Sequence, residues 1–187
     1  MTIKHGARYA VMGLLTLGLV ILVGLAPIAS NSLLAQETTS GITIFGGLSP
    51  ENRLAYSIDR NRPYSSNARY YLRVGATKLR REVLELQIDY PETFEGKFDP
   101  ASIELRRGRY RGDSKIEISE ATLNTETRQI EIYPSEPIPV DTHLVVVLSN
   151  VRNPRNFGVH YFNLKMMYQG GVVREYVGTW PLEVSAE

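Results

Sequence analysis

Leu84-Glu85-Leu86-Gln87-Ile88-Asp89-Tyr90 alternates strictly between apolar and polar side chains. Successive side chains of an extended chain point to opposite faces, so this heptapeptide predicts a strand with one buried and one wet face. Ile103-Glu104-Leu105-Arg106, Ile116-Glu117-Ile118-Ser119 and Ile130-Glu131-Ile132-Tyr133 repeat the pattern. Leu144 to Leu148 is continuously apolar and rich in valine, which predicts a central strand covered on both faces. Val159–Tyr168 and Val172–Val184 complete the strand set. Turn-forming clusters punctuate it at Tyr90-Pro91-Glu92, Gly108–Ser114, Asn124-Thr125-Glu126, Pro134–Asp141, Asn153-Pro154 and Gly170-Gly171. Short strands interrupted this often predict an all-β fold, an antiparallel immunoglobulin-like β-sandwich. Two segments add brief helical turns to that expectation. Ser49-Pro50-Glu51 reads as a cap with proline at the first helical position, opening a turn over Pro50–Tyr56, and Lys78–Leu86 is built largely of good helix formers.

The first 35 residues differ in kind. Lys4, His5 and Arg8 precede an uncharged stretch whose core, Ala10–Ala29, is about the ~20 residues that cross a hydrocarbon layer as a helix. Residues 1–35 are expected to be a signal peptide cleaved after Ala35, with an uncleaved N-terminal membrane anchor as the second reading. A polar linker over residues 36–41 then leads to a β-sandwich domain over residues 42–187. Both readings place the domain outside the cytoplasm, in a periplasm, thylakoid lumen or cell envelope. Any membrane contact would run through residues 10–29.

Of 21 basic and 20 acidic residues, the leader holds Lys4 and Arg8 and no acid, leaving 19 and 20 for the rest. A near-neutral body argues against nucleic acid as a partner. The chain has no cysteine, which excludes disulfides, thiol nucleophiles and cysteine-based metal centres.

Pro137-Ile138-Pro139-Val140-Asp141-Thr142, then Leu144–Leu148, Asn153-Pro154, Gly158 and Phe162, and finally Tyr176-Val177-Gly178-Thr179-Trp180, together resemble a family of exported cyanobacterial proteins. That family is catalogued only as a domain of unknown function. The resemblance spans Ala68 to Val184 and implies a signal peptide followed by one β-rich domain, with no catalytic residues to carry over. His160 stands where the pattern has an aromatic residue two positions before Phe162.

Few residues suggest chemistry. His143 and His160 are the only histidines beyond the leader. A copper site using His160 with Met166 and Met167 is disfavoured, because six residues of strand span about 20 Å and the two methionines point to opposite faces. No Gly-x-Ser-x-Gly elbow and no phosphate-binding glycine loop occurs. Glu85, Glu104, Glu117 and Glu131 fall on the polar side of their strands and read as a solvated face. The expectation is therefore no enzyme, no cofactor and no metal, with a carbohydrate hydrolase using strand carboxylates, or a copper-handling module, as the alternatives.

Two surfaces stand out instead. The loop after Leu105 carries Arg106, Arg107, Arg109, Tyr110 and Arg111, whose guanidinium forks suit phosphate, sulfate or carboxylate groups. The tripeptide Arg111-Gly112-Asp113 reads as a coincidental adhesion motif. The stretch Arg53–Arg73 interleaves arginine and tyrosine, with Arg60, Arg62, Tyr64, Arg69 and Tyr70 as the candidate contact residues, the side chains that interfaces concentrate. The function expected is a non-catalytic binding or structural module. Its partner would be an envelope or luminal protein, or an acidic polysaccharide.

Overall fold

Alternation becomes strand wherever a partner strand lies beside it. A computed structural model describes residues 47–185, and the apolar leader and the linker lie outside the described residues. Among those described, ten strands form: β1 (Tyr56–Asp59), β2 (Ala68–Val74), β3 (Val83–Asp89), β4 (Ile103–Arg107), β5 (Ser114–Ile116), β6 (Ile118–Asn124), β7 (Gln129–Pro134), β8 (Leu144–Val151), β9 (Gly158–Tyr168) and β10 (Glu175–Val184). They build two five-stranded antiparallel sheets. The first has the order β1-β2-β8-β4-β5 and the second β10-β9-β3-β7-β6.

The expected all-β sandwich is therefore present. Its core is where the inward faces meet, with Tyr70, Leu72, Leu144, Val146 and Leu105 of the first sheet packed against Leu86, Ile88, Ile132, Phe162, Leu164 and Trp180 of the second. Trp180 also donates its Nε1–H to the Arg73 carbonyl at 3.0 Å, a direct hydrogen bond between the sheets. β8 is buried on both faces, as its continuous apolar sequence predicts.

Five expectations change. The helical turn expected to open Lys78–Leu86 lies earlier, as the 3-10 turn Ala76–Lys78, and the rest of that segment is not helical. Leu79 is drawn into the core, and Val83 exchanges backbone hydrogen bonds with Ile138, at 3.0 and 2.9 Å. Strand pairing thus overrides helix propensity. The turn at Pro50 likewise stops at Asn52.

Ile116–Ser119 is not one strand. Ile116 pairs with Leu105 in the first sheet and Ile118 with Pro134 in the second, so the chain changes sheets at the exposed Glu117. The last strand begins at Glu175 rather than Val172, and Val172 lies 91% exposed at a hairpin tip. Finally, a bulge between Val83 and Glu85 takes Leu84 out of the alternation, leaving it partly exposed and Glu85 buried. Among the described residues, no helix is long and apolar enough to cross a membrane.

Candidate functional site: a cationic face and the two ends of the first sheet

Strand register decides which polar side chains meet. On the outer face of the first sheet, Asp59 lies beside Arg69, Ser57 beside Tyr71, Tyr71 beside Val147, Arg73 beside Val145, and Val145 beside Arg106. Tyr71, Val145 and Val147 form a small buried cluster here, although this face points away from the core. The aliphatic stems of long side chains can cover such a patch while their heads stay in water. Arg111 does so most clearly. Its guanidinium lies 4.7 Å from the Tyr71 ring centre and donates to the two Asp59 carboxylate oxygens at 2.8 and 3.0 Å and to the Tyr71 hydroxyl at 3.2 Å.

The two arginine-rich stretches therefore converge on one face, but not as a row of free forks. Arg106 is held by Glu104, with contacts of 2.7 and 2.9 Å, and Arg111 by Asp59. The Arg111-Gly112-Asp113 tripeptide is accordingly folded back onto the sheet. Arg69 donates to the Ser149 hydroxyl at 3.0 Å. Tyr70, expected at a contact surface, is instead core. It is fully buried, its hydroxyl donates to Asn153 Oδ1 at 2.8 Å, and burial raises its pKa well above the usual phenol value. A one-residue step on a strand reverses the side chain's face, which separates Tyr70 from Arg69 and Tyr71.

Four cations without a carboxylate partner among the described residues gather at one end of this sheet. A groove of about 680 Å³ is floored by Leu54, Val74 and Leu144 and rimmed by Arg53, Arg73, Lys78, Arg109, Tyr110 and His143. None of its lining residues is acidic, and among the described residues none of these cations pairs with a carboxylate. Three are anchored through neutral acceptors. Arg73 donates to the Tyr56 carbonyl at 2.6 Å, Lys78 to the Glu51 carbonyl at 2.7 Å, and Arg109 Nε to His143 Nε2 at 3.3 Å. The loop carrying Arg109 and Tyr110 closes tightly. Gly108 has φ of 121°, and a Cβ on it would meet Asp113 Oδ2 at 2.4 Å. Tyr110 has φ of 56° and is 77% exposed.

Of the predicted contact residues, Arg109 and Tyr110 thus belong to the groove. Arg107 lies beside it, on a depression of about 580 Å³ that also holds Glu117 and Glu136. Arg60, Arg62 and Tyr64 occupy the opposite end of the sheet, around a depression of about 560 Å³. Lys78 and His143 were not foreseen as contact residues, one being assigned to a helix and the other weighed only for metal or catalysis. The signal was available in the alternation of Arg69, Tyr71 and Arg73, which predicts an outward row running toward Lys78.

The remaining candidates are structural. Glu85 and Glu131, expected on a solvated face, share Arg174, which lies 3.0 Å from Glu131. Glu117 reaches Lys115 at 3.7 Å. His160 is buried, bonded through Nδ1 to the Thr93 hydroxyl at 3.2 Å and set edge-on to Phe94 at 5.3 Å, so it fills an aromatic position in the cluster of Phe94, Phe98 and Phe162. Burial lowers its pKa. Met166 points into the core, and Met167 lies opposite Glu85 across the strand pair. Among the described residues, no group of three or more histidine, aspartate or glutamate side chains is placed to hold a metal ion.

Two antiparallel five-stranded sheets closed over one core, with a cationic groove at one end, define a β-sandwich domain. The chain belongs to the family described as Protein of unknown function (DUF2808), whose model matches residues 42–184. No curated protein matches it in sequence. Among solved structures it is similar to collagen adhesin (CNA) from S. aureus, at 8% identity and a TM-score of 0.40, over 73% of this chain and 50% of that one. It is also similar to the collagen-binding domain from a Staphylococcus aureus adhesin, at 12% and 0.37, over 70% and 95% of the two chains. A third is an uncharacterized Nocardia farcinica protein with an immunoglobulin-like fold, at 11% and 0.39, over 66% and 82%. The match to the first of these spans half of that chain's length.

Proposed function

We propose that this domain is a non-catalytic binding module, exported to a periplasm, lumen or envelope, that takes the acidic groups of a polysaccharide into the groove at the end of the first sheet. One observation carries the reading: Arg53, Arg73, Lys78 and Arg109 line a single concavity without a carboxylate among its lining residues. Like charges brought together are unfavourable unless a ligand or solvent screens them, and anchoring three of the side chains beforehand lowers the ordering cost of binding. Guanidinium forks match carboxylate and sulfate geometry, and Tyr110 adds an exposed ring at the rim.

The test is binding to immobilised dextran sulfate and polygalacturonate, with neutral dextran as the control. Arg53→Glu combined with Arg109→Glu is expected to weaken binding about tenfold or more, with a steep salt dependence in the parent and an unchanged Tm. Equal binding to neutral dextran, or unchanged affinity in the double variant, would overturn the reading. A clear preference for polyglutamate over both polysaccharides would point to an acidic protein instead.

A further inference from the structure

The end of the first sheet opposite the groove is built as carefully. The loop from Arg60 to Ser65 is pinned around one buried side chain, Asn153, whose Nδ2 donates to the carbonyls of Arg62 at 2.8 Å and Arg60 at 3.3 Å. Its backbone N–H donates to Ser65 at 2.8 Å, and the Tyr64 N–H donates to Pro154 at 3.2 Å. Asn153 Oδ1 in turn accepts from the core residue Tyr70, so the loop is tied to the sandwich interior. Two of its residues are held in the left-handed region, Arg60 at φ 58° and Tyr64 at φ 61°, a conformation that is uncommon for side-chain-bearing residues. Held this way, the loop presents Arg60, Arg62 and Tyr64 around the open depression at Pro63. Among the described residues neither arginine has a carboxylate partner, and Arg60 is steadied by the Asn67 carbonyl at 3.0 Å. Tyr64 is 69% exposed, as is Phe157 in the adjacent connection.

A fixed loop that displays two unpaired arginines beside exposed aromatics has the same chemistry as the groove. The two places are separated by the length of β2, about 20 Å. Between them the outer face is not a row of free forks, because Arg111 and Arg106 are tied to Asp59 and Glu104, Arg69 is held by Ser149 and the apolar cluster is already covered. An acidic chain lying along that face would meet two carboxylates.

From this arrangement we infer that the Arg60–Ser65 loop is a second, separate site for the acidic groups of polysaccharide, so that one domain holds two chains and crosslinks them. The inference rests on the reading of the groove as the first site. Bridging converts two modest affinities into network formation without any new contact.

The experiment pairs two readouts on the full chain. Calorimetry with a short dextran sulfate oligosaccharide counts sites, and light scattering with long-chain dextran sulfate reports crosslinking. The parent is expected to bind two oligosaccharides and to scatter most near equivalence, with scattering falling again when either component is in excess. Arg60→Glu with Arg62→Glu is expected to leave one site and abolish scattering while the groove still binds. Arg60→Gln with Arg62→Gln repeats the test without charge reversal, and an unchanged Tm confirms folding. A single site in the parent, or full scattering from the loop variants, overturns the second site. Scattering by the protein without polyanion also overturns it, since self-association would then account for the effect. The groove reading fails separately, if Arg53→Glu with Arg109→Glu leaves the site count and affinity untouched.

Discussion

His160 shows how one side chain can satisfy a packing pattern and still leave a chemical mark. It stands edge-on to Phe94 in an aromatic cluster, where a phenyl ring would serve equally well, and only its Nδ1 has a partner, the Thr93 hydroxyl. Burial disfavours the charged imidazolium, which is why its folded pKa lies below the ordinary 6.5. In the unfolded chain the ring titrates near 6.5, so its contribution to stability is present above that pH. It is lost as the pH falls toward the depressed folded value, because the unfolded state then binds the proton that the folded state resists. His160→Phe is expected to fold and to flatten this part of the profile. Measured by urea denaturation at neutral and mildly acidic pH, the parent should lose more stability between the two than the variant does. Equal losses would show that the ring is protonated as readily folded as unfolded.

At the scale of the element, the edge of the second sheet is closed by a segment that is not one of its strands. Leu54 donates its N–H to the Thr179 carbonyl at 2.8 Å, and Arg53 forms a parallel bridge to Thr179. Gly178 permits this approach, since a Cβ there would meet the Asn52 carbonyl oxygen at 2.7 Å and Leu54 Cγ at 2.8 Å. An uncovered edge strand is a template for pairing with other chains, and Pro181 already removes one donor from β10. Gly178→Val is expected to cost about 1–3 kcal/mol through overpacking. It should also displace Arg53 from the groove. The variant should therefore show both a lower Tm and weaker binding to dextran sulfate, and a normal affinity at lowered Tm would separate the edge from the site. This contact also marks the limit of what sequence reveals. Most strands of the two sheets could be read from residue order, because a half-buried strand writes its two faces directly into it, but β1 and β2 fall outside the expected strand set. The bulge at Leu84, the change of sheet at Glu117 and the contact of Leu54 with β10 could not, because each depends on a neighbour distant in sequence. The same holds for the groove, where Arg53, Lys78 and Arg109 come from three separate segments. Arg60, Arg62 and Tyr64 were legible as a cluster because they share one loop.

Hairpins of consecutive strands are joined into two sheets by distant pairings. β2 lies against β8, β3 against β9, and β1 is coupled to the C-terminal strand through the Tyr56 hydroxyl, which accepts from the Glu183 N–H at 3.0 Å. Such pairings require large loops to close before contacts compensate, so the sandwich is expected to refold on the millisecond-to-second scale typical of all-β domains rather than in microseconds. The chain supplies its own reporter. Trp180 is its lone tryptophan, fully buried in β10 and hydrogen-bonded to Arg73 of the opposite sheet, so its native fluorescence requires the two sheets to have closed. Stopped-flow dilution from urea should show the tryptophan signal recovering in that slow range. With no cysteine in the chain, the rate and amplitude should be the same with and without a reductant. Recovery of the full native signal within microseconds would mean that Trp180 reaches its final environment through contacts within the β9–β10 hairpin alone. The bond to Arg73, and with it the placement of the groove, would then form only afterwards.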